Sequence, residues 1–361
     1  MSGEQQSTEP VIVEVDGRAG RLTLNRPRSI NALDHSMVQL MASALDEWEN
    51  DPQVQTVVIT GAGERGLCAG GDIVAIHRDA DALGARPDDA AAAATGSAAF
   101  WRDEYRLNAR LAEYSKPILA VMDGIVMGGG VGISGHVSHR VATDRTRLAM
   151  PEVGIGLVPD VGGTWLLSRL ADELGTYAAL TSKNLSGADA VSLGLATHFV
   201  PAEGLPAMLA DLAQQPVDEV LAAHSAPAPV SGLDELRPLI ATAFAGGELA
   251  EITARLADSE VPALAEAATA MAGMSPMASA VTLHALRAAR DDRSLRDSLH
   301  REYRTSLRCL QYPDLAEGIR AKVIDKDGRP NWAATPDTID SAAVESFTRP
   351  LGDLELDLTT H

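Results

Sequence analysis

Residues Met127–Leu170 read MGGGVGISGHVSHRVATDRTRLAMPEVGIGLVPDVGGTWLLSRL. The run Gly128-Gly129-Gly130 follows the apolar stretch Pro117–Met122 (PILAVM), which predicts a buried strand ending in a tight, backbone-exposing turn. Two carboxylates follow, Glu152 after Met150-Pro151 and Asp160 after Pro159, eight residues apart with few charges between them. Each proline fixes φ locally and is suited to holding its neighbouring acid in place. Position 132, two residues past the glycine run, carries no acid but Gly132.

Upstream, the same pattern occurs once before. Thr56–Thr60 (TVVIT) predicts a short buried strand, and Gly66-Leu-Cys-Ala-Gly-Gly-Asp72 a second glycine turn. Backbone N–H groups from two such loops, converging on one point, would form an oxyanion hole, in which each donor is worth about 3 kcal/mol of transition-state stabilisation. Either run alone reads equally well as a simple turn. Neither continues into Gly-Lys-Ser/Thr, which argues against a phosphate-binding P-loop. Standing alone, Glu152 reads as a solvated or paired acid and Asp160 as a helix cap; beside the glycine run they become candidates for proton transfer or nucleophilic attack. No serine sits in a G-x-S-x-G elbow, and His136/His139 have no acid or cysteine at ligand spacing, so a serine triad and a metal site are both disfavoured.

Further toward the N-terminus, Val11–Val15 and Arg21–Leu24 predict two strands around the turn Asp16–Gly20. Asp34 then caps a helix with apolar residues at Met37, Leu40, Met41, Ala44, Leu45 and Trp48. Strand, glycine turn and helix in series predict an α/β fold with its functional loops at strand ends. Asp79–Ser97, rich in Ala, Asp, Gly and Pro, is expected to be a surface insertion, and Phe100–Leu111 a helix. Beyond Phe199 alanine-rich helical segments take over. The expected organisation is therefore a core over 1–200, a helical region over 201–334 and an acidic, weakly periodic tail over 335–361 that is a candidate for partial disorder.

The 361-residue chain has 30 Lys and Arg against 50 Asp and Glu, a formal net charge of −20, which argues against nucleic acid as a partner. Two distant cysteines, Cys68 and Cys309, are expected to be unpaired thiols. The opening MSGEQQSTEP lacks the basic and apolar regions of a secretory signal, and no apolar run reaches the ~18 residues of a membrane span, so a cytoplasmic protein is expected.

At these motifs the chain resembles the crotonase (enoyl-CoA hydratase/isomerase) superfamily, and within it the 3-hydroxyisobutyryl-CoA hydrolases. The resemblance runs through LNRPRSINALD (Leu24–Asp34), LCAGGDI (Leu67–Ile73), FWRDEYRLN (Phe100–Asn108), GIVMGGGVGIS (Gly124–Ser134) and AMPEVGIGLVPDVGG (Ala149–Gly163). It continues through LATHFV (Leu195–Val200), MSPMA (Met274–Ala278), EYR (Glu302–Arg304) and EGIRAKVIDKDGRPNW (Glu317–Trp332). It implies a β–β–α spiral core with a helical C-terminal region, an acyl-CoA substrate and no cofactor beyond the CoA that substrate carries. By motif position, the oxyanion donors are the amides of Gly71 and Gly129, Glu152 is the catalytic glutamate, Asp160 the hydrolase-specific aspartate, and Glu104 an acid lining the substrate site.

Position 132 decides between subfamilies. Hydratases of this superfamily carry a second catalytic glutamate there and a glycine where Asp160 stands. The exchange favours thioester hydrolysis, with 3-hydroxyisobutyryl-CoA of valine catabolism as the expected substrate. An enoyl-CoA hydratase/isomerase and a non-catalytic acyl-CoA-binding protein are the competing readings. Arg26 and Arg28 are candidates to meet CoA phosphate, with surface charge equally plausible. Trimers and dimers of trimers are common in the superfamily, and the C-terminal extension leaves the oligomeric state open.

Overall fold

A computed structural model describes residues 9–84 and 88–359. Among them ten strands form two sheets. They are β1 (Val11–Asp16), β2 (Ala19–Leu24), β3 (Thr56–Gly61), β4 (Gly66–Cys68), β5 (Ile118–Met122), β6 (Ile125–Met127), β7 (His139–Ala142), β8 (Arg147–Ala149), β9 (Leu185–Ser186) and β10 (His198–Phe199). The larger sheet has the order β1-β2-β3-β5-β7-β10 and the smaller β4-β6-β8-β9. From β3 onward, successive strand pairs give one strand to each sheet, and a helix follows β2, β4 and β6. This is the β–β–α repeat of the crotonase fold. Only β1 and β2 run antiparallel in the larger sheet; β2-β3, β3-β5, β5-β7 and β7-β10 are parallel.

The chain divides into two compact units. One comprises Met1–Gly71, Arg110–Leu148 and Ser186–Pro229. It holds the six-stranded sheet, against which the helix His35–Glu49 buries Met37, Met41, Leu45 and Trp48. Asp34 caps this helix as expected, accepting the Met37 N–H at 3.0 Å. A second core layer sets Val58, Leu119, Val121, Val141 and Val200 against Leu205, Met208, Leu212, Val217, Val220 and Leu221, from the helices Leu205–Asp211 and Val217–His224 and the residues beside them. Continuous apolar strands such as ILAVM follow from burial on both faces, as parallel sheets require.

The other unit comprises Asp72–Ala109, Ala149–Leu185 and Val230–His361. Its central helix, Leu295–Gln311, starts in a reciprocal cap between Ser294 and Asp297 and buries Leu299, Glu302, Tyr303, Ser306, Leu307 and Leu310. The two units interleave along the chain instead of meeting near residue 200. Periodicity reports that a helix is buried, not which unit it buries against, so Leu205–His224 read as part of a separate helical region.

Two further expectations are refined. The described residues of Asp79–Ser97 lie mostly at the surface, as expected, but are partly helical: they take in the end of the helix Ile73–Leu83 and the helix Asp89–Ala93, and the Asp79 carboxylate accepts the Ser97 N–H and hydroxyl, both at 2.6 Å. The tail carries the helix Ser341–Ser346 and buries Phe347, Leu351, Leu356 and Leu358, while Glu355 pairs with Arg304 at 2.8 Å. Isolated leucines spaced by acids hide this packing from a periodicity reading. Residues 360–361 lie outside the described range.

Candidate active site

Both glycine loops lie in the sheet-bearing unit. Leu33 makes an isolated parallel bridge to Gly71, and its N–H donates to the Gly70 carbonyl at 2.8 Å. In such a bridge the residues flanking Gly71 make the bonds, so the Gly71 amide points away from the pair. Gly128 adopts φ 48°, ψ −120°, a conformation open to glycine alone, and turns β6 into the short helix Gly129–Ser134. The Gly129 amide is the first of that helix and has no acceptor within it. A Cβ on Gly70 would lie 3.9 Å from the Gly129 nitrogen, so the two loops are in van der Waals reach. The two loops predicted to supply oxyanion donors thus lie side by side. Gly132 is buried inside the helix.

The other unit assembles the acids. Glu152 opens the 3₁₀ turn Glu152–Ile155 directly after Pro151 and is buried. Its Oε2 is enclosed without a hydrogen-bond partner. Asp160, buried to the same degree, accepts the Tyr105 hydroxyl at 2.8 Å, and that hydroxyl also lies 2.9 Å from Ser306 Oγ. Glu104 is fully enclosed one residue before Tyr105 on the helix Gly96–Glu113, and its Oε1 is also unpartnered.

A fourth acid, Glu302, was not singled out as a site residue. Its carboxylate accepts the Gly162 N–H at 2.6 Å, the Thr164 N–H at 2.9 Å and the Thr164 hydroxyl. Those amides face it because Val161 and Gly162 have φ of 52° and 81°. A left-handed valine is strained, and this one immediately follows Asp160. Spacing gives the only sequence signal: Glu302 and Ser306 lie four apart on the helix face that also buries Leu299 and Leu310.

Burial governs the electrostatics. It pushes Glu104 and Glu152 well above the usual carboxylate range, and the Asp160 charge adds to the shift of each. Asp160 rises less, to about 6, because the Tyr105 hydroxyl stabilises its anion. Glu302 reaches about 7 despite its three donors. Among the described residues no cation offsets the burial of any of these four acids. Carboxylates kept near neutrality without a counter-charge are suited to proton transfer or nucleophilic attack near pH 7.

Other candidates are placed elsewhere. Arg26 is held by the Ala32 carbonyl at 2.5 Å and by Asp34 at 3.3 Å, so its guanidinium already serves local structure. Arg28 is exposed on the 3₁₀ turn Pro27–Ser29. His139 lies 3.8 Å from Asp218 and stacks near His198. Cys68 and Cys309 are buried and form no disulfide. No helix among the described residues is long and apolar enough to cross a membrane.

Residues 19–348 match the family described as Enoyl-CoA hydratase/isomerase. The chain belongs to that family. It is an acyl-CoA enzyme family, and the curated relatives match over nearly the whole chain. A mitochondrial 3-hydroxyisobutyryl-CoA hydrolase of Gallus gallus is 37% identical over 98% of this chain and 92% of its own. That of Danio rerio is 39% identical over 89% of this chain and 84% of its own. Among solved structures, a carnitinyl-CoA dehydratase from Mycobacterium thermoresistibile is 47% identical, with a TM-score of 0.91 over 98% of this chain and 100% of its own. An enoyl-CoA hydratase from Rhodobacter sphaeroides 2.4.1 is 41% identical, with a TM-score of 0.89 over 97% and 100%. The fold is common to all of them, but the named reactions divide into thioester cleavage and C=C hydration.

Proposed function

We propose that this protein hydrolyses the thioester of a short 3-hydroxyacyl-CoA, with 3-hydroxyisobutyryl-CoA as the substrate. The observation that carries the reading is the pair of buried, uncompensated acids Glu152 and Asp160, with Glu152 Oε2 unpartnered. The identity to named hydrolases supports it. So does the absence of an acid at Gly132, since hydration across a double bond in this superfamily relies on two glutamates.

In this mechanism the thioester oxygen takes up negative charge against the amides of Gly71 and Gly129. The Glu152 carboxylate attacks the carbonyl carbon, the C–S bond breaks, and CoA leaves as a thiolate that takes a proton delivered by way of Asp160. Water then cleaves the resulting anhydride, restoring Glu152 and releasing the hydroxy acid. In the direct variant Glu152 removes a proton from water, which itself attacks. Both routes charge the same oxygen. Heavy oxygen found in Glu152 after a single turnover in H₂¹⁸O would demonstrate the anhydride route, because only attack of water on the enzyme carbonyl of an anhydride leaves it there.

The deciding experiment is a free-thiol assay over 3-hydroxyacyl- and enoyl-CoAs. Thiol release from 3-hydroxyisobutyryl-CoA supports hydrolysis; loss of enoyl absorbance without thiol supports the hydratase reading, which the names of the matched crystal structures favour. Binding without either reaction would indicate a non-catalytic acyl-CoA-binding protein. Glu152→Gln is expected to lower thiol release by about 10²–10⁴-fold while acyl-CoA binding persists. Near-normal turnover would remove Glu152 from the mechanism.

A further inference from the structure

Glu104 and Asn108 lie four residues apart on the helix Gly96–Glu113, which stacks them on one face. Both are enclosed, at 2% and 0% exposure. Glu104 Oε1 and both polar atoms of the Asn108 carboxamide, Nδ2 and Oδ1, have no hydrogen-bond partner. Leaving such groups unpaired in the interior is unfavourable, and folded proteins rarely tolerate it without a function. Several other buried polar groups of this unit are bonded, Tyr105 and Ser306 to each other, Glu302 to its amides and Ser275 to Asp314 at 2.5 Å, while Glu152 Oε2 and Thr282 Oγ1 share the unpartnered state.

The chemistry of the unpaired atoms narrows what they would bind. A carboxamide offers one donor group and one acceptor, and the Glu104 oxygen sits beside them. An anion is disfavoured by Glu104 itself and by Asp160, whose charge reaches it. A cation would oppose the Asn108 amino group. An alkyl group would leave all three atoms unsatisfied. A hydroxyl, which both donates and accepts, complements them.

We infer that Asn108 is a specificity-determining residue which, together with Glu104, hydrogen-bonds a hydroxyl on the acyl chain and commits the site to hydroxylated acyl-CoAs over their deoxy counterparts. The inference rests on the acyl-CoA reading above and adds the residue that reads the acyl group. A site built around buried hydrogen-bonding atoms rejects an analogue lacking the partner, because rejection leaves those atoms unpaired again.

The test is calorimetric binding of 3-hydroxyisobutyryl-CoA against isobutyryl-CoA, in the Glu152→Gln background so that neither ligand is consumed. With Asn108 intact, the hydroxylated ligand is expected to bind at least about 30-fold more tightly; Asn108→Leu should bring the ratio to within about threefold. The melting temperature of Asn108→Leu should hold or rise, because an unsatisfied buried amide has been removed. A ratio that Asn108→Leu leaves unchanged, or a parallel loss of both ligands with a lower melting temperature, overturns the inference. If Asn108→Leu fails to fold, Asn108→Ser gives the same readout with an intermediate ratio expected. Because binding is measured, failure to hydrolyse any thioester would overturn the proposed function and leave this ratio readable.

Discussion

Asp160 and Glu152 have the same chemistry in two environments. Tyr105 donates to Asp160 and holds it near 6, whereas Glu152 keeps an unpartnered oxygen and rises further. Once formed, the Asp160 charge holds the proton on Glu152. Thioester cleavage needs the Glu152 carboxylate, so it should climb with pH across the range in which the coupled cluster loses its protons; a flat profile of kcat/KM between pH 5.5 and 8 would contradict this. Stability should move the opposite way. Asp160 has a higher pKa in the fold than the ~3.9 of an unfolded chain, so the folded protein holds a proton that unfolding releases. Its contribution is fully present below about pH 4 and lost as pH rises through about 6. Asp160→Asn keeps an acceptor for Tyr105 and removes this loss, so it should gain on the order of 2 kcal/mol relative to the wild type between pH 4 and pH 7. Urea titrations at the two pH values measure the difference. Sequence exposed Glu152 and Asp160 because proline and glycine mark their turns. It could not expose Tyr105 or Asn108, whose partners, or lack of them, exist only after folding.

Two elements fix where reactive groups point. The helix Leu295–Gln311 brings Glu302 against a loop some 140 residues earlier and Ser306 against Tyr105, and Glu302 alone satisfies two loop amides and a hydroxyl. Glu302→Ala should cost about 2–5 kcal/mol, since it leaves two buried N–H groups unpaired, and it should lower kcat more than it raises KM by releasing the Asp160 turn. An unchanged kcat in a folded variant would separate that loop from catalysis. The proposed oxyanion hole depends on Gly128 in the same way. Gly128→Ala forces a side chain into φ 48°, ψ −120°, so thiol release should fall by about 10²-fold with the sheet intact by circular dichroism. The glycine turns were legible from their strands and composition. The short strands β4 and β6–β10 were not, because stretches of two to four residues carry too little alternation to register.

At the scale of the molecule, the acidic end is part of the fold. Removing residues 335–361 strips away the buried Phe347, Leu351, Leu356 and Leu358 and the Glu355 partner of Arg304. At roughly 1.5 kcal/mol or more for each exposed side chain, truncation should lower the melting temperature by several degrees or leave the protein insoluble. An equal melting temperature would show the tail to be dispensable. The crotonase architecture was legible from motifs spread over the chain, whereas its division was not, since neither unit is a continuous segment. That interleaving matters for biosynthesis. β10 and the helices after it reach the larger sheet only once residues up to Pro229 have been made, and the acid-bearing unit draws on chain from Asp72 to the end. At roughly 5–20 residues per second, the early strands wait many seconds on the ribosome with apolar surface uncovered. Nascent chains arrested before residue 229 should therefore stay sensitive to protease and bind chaperones, and shielding by the cell is a requirement written into the order of the chain.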